Sequence, residues 1–346
     1  MATSAATPAK PGRSSFERSG AARRADPLFK WILTGLAALV LVLIAFFFFF
    51  LFTKARPALA YQGFFSFPFT NDWNPSKDIF GAWPLVFGTL VTSLIALVIG
   101  VPVAVGTALF VTELCPRRLR QPLVILVELL AAVPSVVYGL WGVFVLIPNL
   151  KGPEQWFADT FSFLPFVGGP VAGPNYFVAG LVLAIMILPV VSAISREVIS
   201  TVPADHKEAA LALGATRWEM IRMAVLPYSR AGITGGAMLG LGRAIGETIA
   251  VTLVIGNSST VGKQIFDQGY SLAAVIANEF GEAANNPLHS GALIAAGLIL
   301  FILTLGINGV ARGLVIRAER KQTAVPGAAI AVLIAEEPPI AERSAA

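Results

Sequence analysis

The sequence predicts an all-α integral membrane protein, a polytopic helical bundle with six transmembrane helices. Of its 346 residues, 56% are hydrophobic and only 13% are charged, whereas a typical soluble domain carries about 25% charged residues. The mean hydropathy is +0.75. Six stretches reach the roughly 20 mostly apolar residues that a spanning helix needs. They lie at about 31–53, 86–112, 122–148, 175–194, 230–256 and 292–315.

The distribution of positive charge sets the predicted orientation of these helices. With the N-terminus in the cytoplasm, 19 of the 25 Lys and Arg residues fall in the inner segments and five in the outer segments. Cytoplasmic segments of membrane proteins carry this excess of cations. Both termini are therefore predicted to be cytoplasmic. The net charge of +5 reflects topology, and we expect no nucleic-acid partner.

The first apolar stretch is predicted to be a retained helix and not a cleaved signal peptide. About thirty residues precede it, and its apolar run exceeds the 7–15 residues of a signal core. Low-complexity composition predicts disorder at both ends of the chain. The predicted organisation is a cytoplasmic tail at 1–30, a first transmembrane helix and outer loop at 31–85, a transmembrane core at 86–318 with a cytoplasmic loop at 201–228, and a second tail at 319–346.

Few residues are available for catalysis or for metal binding. Cys115 is the only cysteine, which excludes an internal disulfide. Neither His206 nor His289 has a ligand-like neighbour at metal spacing, so we expect no metal and no cofactor. The stretch GNSSTVGKQ at 256–264 has five residues between its glycines, where a phosphate-binding loop has four, and Gln264 replaces the required Ser or Thr. We therefore expect that the chain does not itself hydrolyse ATP.

The cytoplasmic loop at 201–230 predicts two short helices joined by a turn. Gly214 ends the first helix, at a position where a left-handed residue is needed. Thr216 and Glu219 have the spacing of a capping box for the second helix, and Pro227 is expected to stop that helix. The hairpin either rests on the lipid surface or docks a partner protein, and its composition leaves both interpretations open.

Two charged residues, Arg243 and Glu247, stand inside the fifth apolar stretch, in the sequence GLGRAIGETIA. A charge at the bilayer centre costs roughly 2.5–3.5 kcal/mol on insertion scales. The i, i+4 spacing predicts that both side chains share one helix face within pairing distance. One interpretation is a structural ion pair, joined by Glu128 of the third stretch. The other is a polar pathway, which intramembrane ionisable residues usually line.

The side-chain chemistry of this pair suits an anion. Arg243 offers planar, permanently charged donors that match an oxyanion such as phosphate or a carboxylate. Glu247 would accept a hydrogen bond from a substrate that carries its own proton, as hydrogen phosphate does and sulfate does not. A buried acceptor without a partner costs about 1–3 kcal/mol, so this difference would distinguish the two anions.

The stretch EAALALGATRWEMIRMAVLP resembles the EAA loop of ABC-importer permeases. The residues that match at the family's spacing are Glu208, Ala209, Ala210, Gly214, Leu226 and Pro227, while Ala224 occupies the usual Ile position. The resemblance implies a type-I ABC importer permease with MetI-like architecture. It also implies that the first helix of the loop docks in a groove of a cytosolic ATPase and carries force from nucleotide binding to the membrane helices.

Other motifs resemble the permeases of phosphate-specific ABC importers. These motifs are LGRAIGETIAV in the fifth stretch, ELLAAVPSVVYGLWG at 128–142, and ANEFGEA at 277–283 with His289 downstream. The stretch FTNDWNP at 69–75 is similar to the PstC-type subunit and not to its PstA-type partner.

This resemblance implies a set of site residues and partners. Arg243 and Glu247 would be translocation residues, and Glu128 is a third candidate by its position. The partners implied are a PstA-type permease subunit, two cytosolic ATP-binding subunits of the PstB type and an extracytoplasmic phosphate-binding protein of the PstS type. The complex would lie in the bacterial inner membrane.

We therefore expect a permease subunit of an ATP-driven importer of inorganic phosphate, which forms half of the translocation pathway and breaks no bond in its substrate. The closest alternative is an ABC permease for another oxyanion, such as molybdate, sulfate or phosphonate. A membrane enzyme that uses Glu128 and Glu247 as acid and base is a second alternative, although it lacks a nucleophile and a metal. A sensor or scaffold for a signalling kinase is the third.

Overall fold

The computed structural model describes residues 20–171 and 173–323. The elements of this described chain are α1 (Gly20–Gln62), β1 (Trp73–Asn74), β2 (Ile79–Phe80), α2 (Trp83–Leu109), α3 (Arg117–Ala132), α4 (Ser135–Trp141), α5 (Ile147–Thr160), α6 (Tyr176–Ser200), α7 (Ala204–Ala212), α8 (Arg217–Met220), α9 (Leu226–Gly246), α10 (Ile249–Val254), α11 (Leu272–Glu279) and α12 (Pro287–Thr323). Single turns of π-helix continue α2, α4 and α8, at Phe110–Leu114, Gly142–Leu146 and Ile221–Val225.

Five helices of the described chain are long and apolar enough to cross a membrane. They are Pro27–Gln62, Trp83–Leu114, Ser135–Thr160, Tyr176–Ser200 and Pro287–Gly313. They correspond to the first, second, fourth and sixth predicted stretches and to part of the third. The predicted class, an all-α polytopic membrane bundle, is confirmed. The third and fifth predicted stretches differ from the prediction, because a break interrupts each of them.

The break in the third stretch falls at Val133 and Pro134. Helix α3 ends at Ala132, and the next helix begins at Ser135. Proline has no amide hydrogen for the helix ladder, and it moves the preceding residue out of the helical region. Val133 accordingly has φ −69° and ψ 126°. The membrane-length helix therefore runs from Ser135 to Thr160, and not over 122–148 as predicted.

The two predicted tails fall mainly outside the described residues, since 1–19 and 324–346 are not described. Helix α1 begins at Gly20 and helix α12 continues to Thr323, so the described parts of both segments are helical. The chain divides into two units between Phe50 and Leu51. The described part of the first unit is the start of α1, whose large apolar side chains are exposed. A helix that is apolar on every side is typical of a membrane span.

The second unit is built around α2 and α6, which pack together with α10 and with Tyr138 of α4 in one hydrophobic core. Small residues allow the close approach of these helices. A Cβ added to Gly180 of α6 would lie 2.5 Å from Ile95 Cγ2 of α2. A Cβ on Gly232 of α9 would lie 2.4 Å from Val198 Cγ2 of α6. Helix α6 therefore packs closely against both α2 and α9.

Candidate functional site

The break in the fifth predicted stretch falls at one of the predicted site residues. Helix α9 ends at Gly246, Glu247 is extended with φ −71° and ψ 132°, and α10 begins at Ile249. Thr248 Oγ1 donates to the Gly246 carbonyl at 3.3 Å, and the Ala250 amide donates to Glu247 Oε1 at 3.5 Å. These side chains bond the local backbone in competition with the helix ladder. The prediction of one continuous helix over 230–256 is wrong.

This break also changes the relation between Arg243 and Glu247. The i, i+4 argument requires both residues in one helix, and the helix stops between them. Among residues 20–171 and 173–323, no ion pair joins the two side chains. The predicted pairing is therefore wrong. Arg243 is exposed on α9, and its guanidinium lies near enough to Tyr138 for a Coulombic interaction.

Tyr138 belongs to the first turns of the other broken helix and stabilises its break. Its hydroxyl donates to the Leu130 carbonyl at 2.7 Å, across Val133 and Pro134. That carbonyl lies in the last turn of α3, where the regular helix bonds run out. The Val133 amide reaches the same oxygen only at 3.4 Å. Sequence reasoning did not identify Tyr138 as part of the site, because its partners lie across a break and on a different helix.

The helices that follow the two breaks pack directly against each other. A Cβ added to Gly139 of α4 would lie 3.0 Å from the Cα of Ala250 in α10, and a Cβ on Gly142 would lie 2.7 Å from Val254 Cγ1. Residue numbers rise together along this contact, so the two helices run parallel. The break before α4 and the break before α10 therefore lie at the same end of this helix pair, and Arg243 is next to them.

Glu128, the third predicted site residue, lies elsewhere. Its carboxylate accepts from Arg196 Nη2 of α6 at 2.8 Å, and the two side chains are 56% and 25% exposed, respectively. The structure therefore does not bring Glu128 together with Arg243. The sequence contained one indication of this ion pair. Arg196, which carries the opposite charge, follows the end of the next apolar stretch.

The predicted helical hairpin is confirmed in its central turn. Gly214 has φ +85°, which is the left-handed conformation expected after α7. The Gly214 amide donates to the Leu211 carbonyl at 3.0 Å, and the Ala215 amide donates to the Ala210 carbonyl at 3.2 Å. These bonds satisfy carbonyl groups at the end of α7 that have no partner within the helix.

The predicted capping box at the start of α8 is also present. The Glu219 amide donates to Thr216 Oγ1 at 3.3 Å, and the Thr216 amide donates to Glu219 Oε2 at 2.8 Å. The Thr216 hydroxyl donates to the same oxygen at 2.8 Å. The hydrogen bonds from the Thr216 amide and hydroxyl lower the pKa of the Glu219 carboxyl, which favours the ionised form that the cap requires.

Pro227 does not stop the second helix of the hairpin, contrary to the prediction. The helix runs from α8 through the π turn into α9, and Pro227 lies in the first turn of α9. In the π turn the Leu226 amide donates to the carbonyl of Ile221, five residues earlier. This wider turn precedes the proline and accommodates a residue that would otherwise break the i to i−4 ladder.

The hairpin is attached to the bundle through α8 and the π turn, while α7 stays open. Ile221 and Val225 are buried in a cluster with Ile199 and Val202. By contrast, α7 has no buried residue. Within the described part of the chain, one ion pair links α7 to another element: Lys207 Nζ lies 2.7 Å from Glu113 Oε1, in the π turn after α2. One face of α7 therefore remains available, with Glu208 and Ala209 exposed and Ala210 partly buried.

At the opposite end of the bundle, one carboxylate joins His289 and two of the motifs noted in the sequence, ANEFGEA and FTNDWNP. Glu279 Oε2, from ANEFGEA, accepts from Trp73 Nε1 at 2.9 Å and lies 2.9 Å from His289 Nε2. The His289 ring also stacks on Phe80, with centroids 5.5 Å apart. These contacts hold the β1–β2 hairpin against α11 and α12. Burial also raises the pKa of nearby Tyr270, so its hydroxyl stays neutral.

The described ranges contain no group of three or more His, Cys, Asp or Glu side chains placed to hold a metal ion. The candidate functional features of the described chain are a charged residue beside two helix breaks and an exposed helical hairpin at one end. Neither arrangement provides a nucleophile with an adjacent base.

Comparisons with known proteins identify the family of this chain. Residues 100–320 match the family described as binding-protein-dependent transport system inner membrane component. The phosphate transport system permease protein PstC of Xylella fastidiosa (strain 9a5c) is 44% identical over 86% of this chain and 93% of its own length. The protein of the same name from Pasteurella multocida (strain Pm70) is 48% identical over 75% of this chain and 82% of its own.

A solved structure agrees with the fold. A crystal structure of a bacterial alginate ABC transporter, in complex with its alginate pentasaccharide-bound periplasmic protein, contains a chain of the same architecture. It has a TM-score of 0.57 and 17% identity, and the similarity covers 85% of this chain and 96% of that chain. The chain therefore belongs to the family of binding-protein-dependent transport system inner membrane components, in which its relatives are PstC-type permeases.

Proposed function

We propose that this chain is the PstC-type permease subunit of an ATP-driven importer of inorganic phosphate and forms half of the translocation pathway. The names of relatives that match most of the chain at 44–48% identity support the substrate. The observation on this chain that carries the proposal is Arg243, a permanent cation within an apolar stretch and beside two helix breaks. A permease for molybdate, sulfate or phosphonate remains the alternative that the experiment must exclude.

Arg243 holds the anion in transit. Its planar donors match the geometry of phosphate oxygens, and no carboxylate neutralises it within the described chain. A charge in this position is costly against lipid, so the face that carries Arg243 lines a polar path or meets another subunit. Glu247, at the break, accepts a hydrogen bond from the proton that hydrogen phosphate carries, or balances the charge of Arg243. Glu128 is left out of this pathway because Arg196 already pairs with its carboxylate.

The hairpin transmits motion from a cytosolic ATPase. Glu208, Ala209 and Ala210 lie on α7, the helix with no buried residue, and they form the surface for docking. Gly214 sets the angle between the two helices of the hairpin. Leu226 and Pro227 lie in the first turn of α9, and α9 leads without interruption to Arg243. A displacement of the hairpin therefore reaches the anion site through one continuous helix.

The remaining components are separate chains. A PstA-type subunit supplies the other half of the pathway, two PstB-type subunits hydrolyse ATP, and a PstS-type protein delivers phosphate from outside. The complex lies in the bacterial inner membrane, with both termini of this chain in the cytoplasm. The excess of cations in the inner segments supports this orientation.

The test is uptake by the reconstituted complex. The chain would be purified with its PstA-type and PstB-type partners, placed in proteoliposomes and supplied with the PstS-type protein. We expect accumulation of labelled phosphate that depends on ATP and that sulfate, molybdate and phosphonates do not inhibit. Replacing Arg243→Gln should reduce uptake more than about tenfold, because a hydrogen bond to a charged group contributes about 1.5–3 kcal/mol.

Two controls accompany this measurement. The Arg243→Gln complex should retain its PstB-type subunits, since the hairpin is intact, and Arg243→Lys should keep part of the activity because the charge remains. Full uptake by the Gln variant would remove Arg243 from the pathway. Accumulation of another oxyanion in preference to phosphate would replace the proposed substrate.

A further inference from the structure

A second polar position lies between α9 and α12, on the side of the chain that leads toward the hairpin. A cavity of about 590 Å³ opens there between the two helices. Its walls include Gly235, Met238 and Leu239 of α9, and its polar groups come from Asn308 and Arg312 of α12.

The cavity begins next to the Arg243 site and extends toward the end of α12. Gly242, the residue before Arg243, also lines it. Gly235 and Gly242 are seven residues apart, which corresponds to about 10 Å along a helix. Asn308 and Arg312 are separated by one turn, about 6 Å. Arg312 lies at the end of the apolar span that ends at Gly313, on the side of the membrane that is predicted to be cytoplasmic.

The chemistry of the lining favours an oxyanion. No acidic side chain lines the cavity, and Arg312 forms no ion pair or hydrogen bond within residues 20–171 and 173–323. The arginine offers a fork of donors and stays charged at any working pH, and the Asn308 amide adds two further donors one turn away.

We propose that Asn308 and Arg312 form an inner binding position for the oxyanion, which phosphate occupies after it leaves Arg243 and before it reaches the cytoplasm. This inference rests on the proposed function. It assigns a role to two residues of α12 that none of the sequence motifs contains. The cavity then lies along α9 between Arg243 and the hairpin, since its α9 lining runs from Gly242 back to Gly235.

Gly235 provides a direct probe of this cavity, and Gly106 provides its control. A Cβ on Gly235 would meet no atom within 4 Å, so a side chain introduced there enters open space and does not displace a neighbouring helix. Gly106 of α2 also has nothing within 4 Å, but it does not line the cavity. The pair Gly235 and Gly106 therefore gives matched substitutions inside and outside the proposed path.

The first experiment measures phosphate in the cavity. In the assembled transporter with Cys115→Ser, Gly235→Cys would be modified by a charged thiosulfonate reagent, with and without inorganic phosphate. We expect phosphate to slow the modification severalfold, and we expect Arg312→Gln to abolish this protection while Arg312→Lys keeps part of it. Gly106→Cys should show no protection. Unprotected Gly235→Cys, or protection that survives Arg312→Gln, would overturn the inner position.

The second experiment measures uptake in proteoliposomes. Arg312→Gln and Gly235→Leu should each lower the maximal rate about tenfold with retained PstB-type subunits, and Gly106→Leu should leave the rate unchanged. Normal uptake by both cavity variants would refute the inner position, while loss of uptake in Arg243→Gln would still support the proposed function. If the unaltered complex accumulates no phosphate, the proposed function itself fails.

Discussion

The turn at Gly214 offers the sharpest test of the coupling hairpin. Gly214 has φ +85°, and a Cβ at this position would meet no atom within 4 Å. A substitution here therefore causes no clash, and its cost comes from the backbone alone. An L-residue in the left-handed region costs about 1–2 kcal/mol, which lowers the ratio of the native turn to its alternative conformations by a factor of roughly 5–30.

The predicted order of affinities follows from side-chain type. Gly214→Asn should be mildest, because Asn tolerates the left-handed conformation. Gly214→Ala should weaken the turn by the full 1–2 kcal/mol, and Gly214→Val should weaken it further because a β-branched residue is strongly disfavoured there. If the PstB-type subunit binds only the native hairpin, its dissociation constant should rise by up to the same roughly 5- to 30-fold for Ala, since the apparent constant scales with the inverse of the native fraction.

The assay is a titration of the purified permease with its separately purified PstB-type subunit, followed by uptake measurements on the same variants. Gly106→Val serves as the control, because Gly106 lies in the regular helix α2 with nothing within 4 Å of the added Cβ. Wild-type affinity in Gly214→Val would refute the coupling role of the turn. Equal loss in Asn and Val variants would instead indicate that side-chain bulk, and not backbone conformation, is responsible.

Two further predictions concern the helix breaks. Tyr138→Phe removes the 2.7 Å hydrogen bond to the Leu130 carbonyl. This change should destabilise the complex by about 1–2 kcal/mol, which would be measured as a lower Tm. An unchanged Tm would contradict the role of that hydrogen bond. Gly139→Ala places a Cβ 2.6 Å from Leu253 Cδ1 and 3.0 Å from the Cα of Ala250, so overpacking should cost about 1–3 kcal/mol. Gly106→Ala should leave Tm unchanged, and equal stability of the two Ala variants would refute the close contact of α4 and α10.

Local signals in the sequence were sufficient for several features of the fold. Apolar runs of membrane length identified the spans, and the described helices agree with four of them closely. The turn at Gly214 and the capping box of Thr216 and Glu219 were predictable because each depends on residues within one or two helical turns. The break after Ala132 was partly visible in Pro134, whose effect on the helix ladder is also local.

Other features depended on contacts between distant segments, which no pattern along the chain records. Glu128 pairs with Arg196 of another helix. Glu279 joins Trp73 and His289 although the sequence gives only their separate positions. Each of these outcomes was decided by which partner lay close enough to satisfy a charge or a backbone group.

The sequence by itself determined that this chain is an all-α membrane protein with an arginine inside an apolar stretch and a capped hairpin, because composition, run length and capping residues act locally. Only the tertiary structure decided that the helix stops between Arg243 and Glu247, that α4 and α10 run parallel beside this break, and that a cavity lined by Gly242 and Arg312 lies between α9 and α12. These features arise from packing between helices that are separated by many residues along the chain, where glycines permit contact and side chains such as Tyr138 satisfy the interrupted backbone.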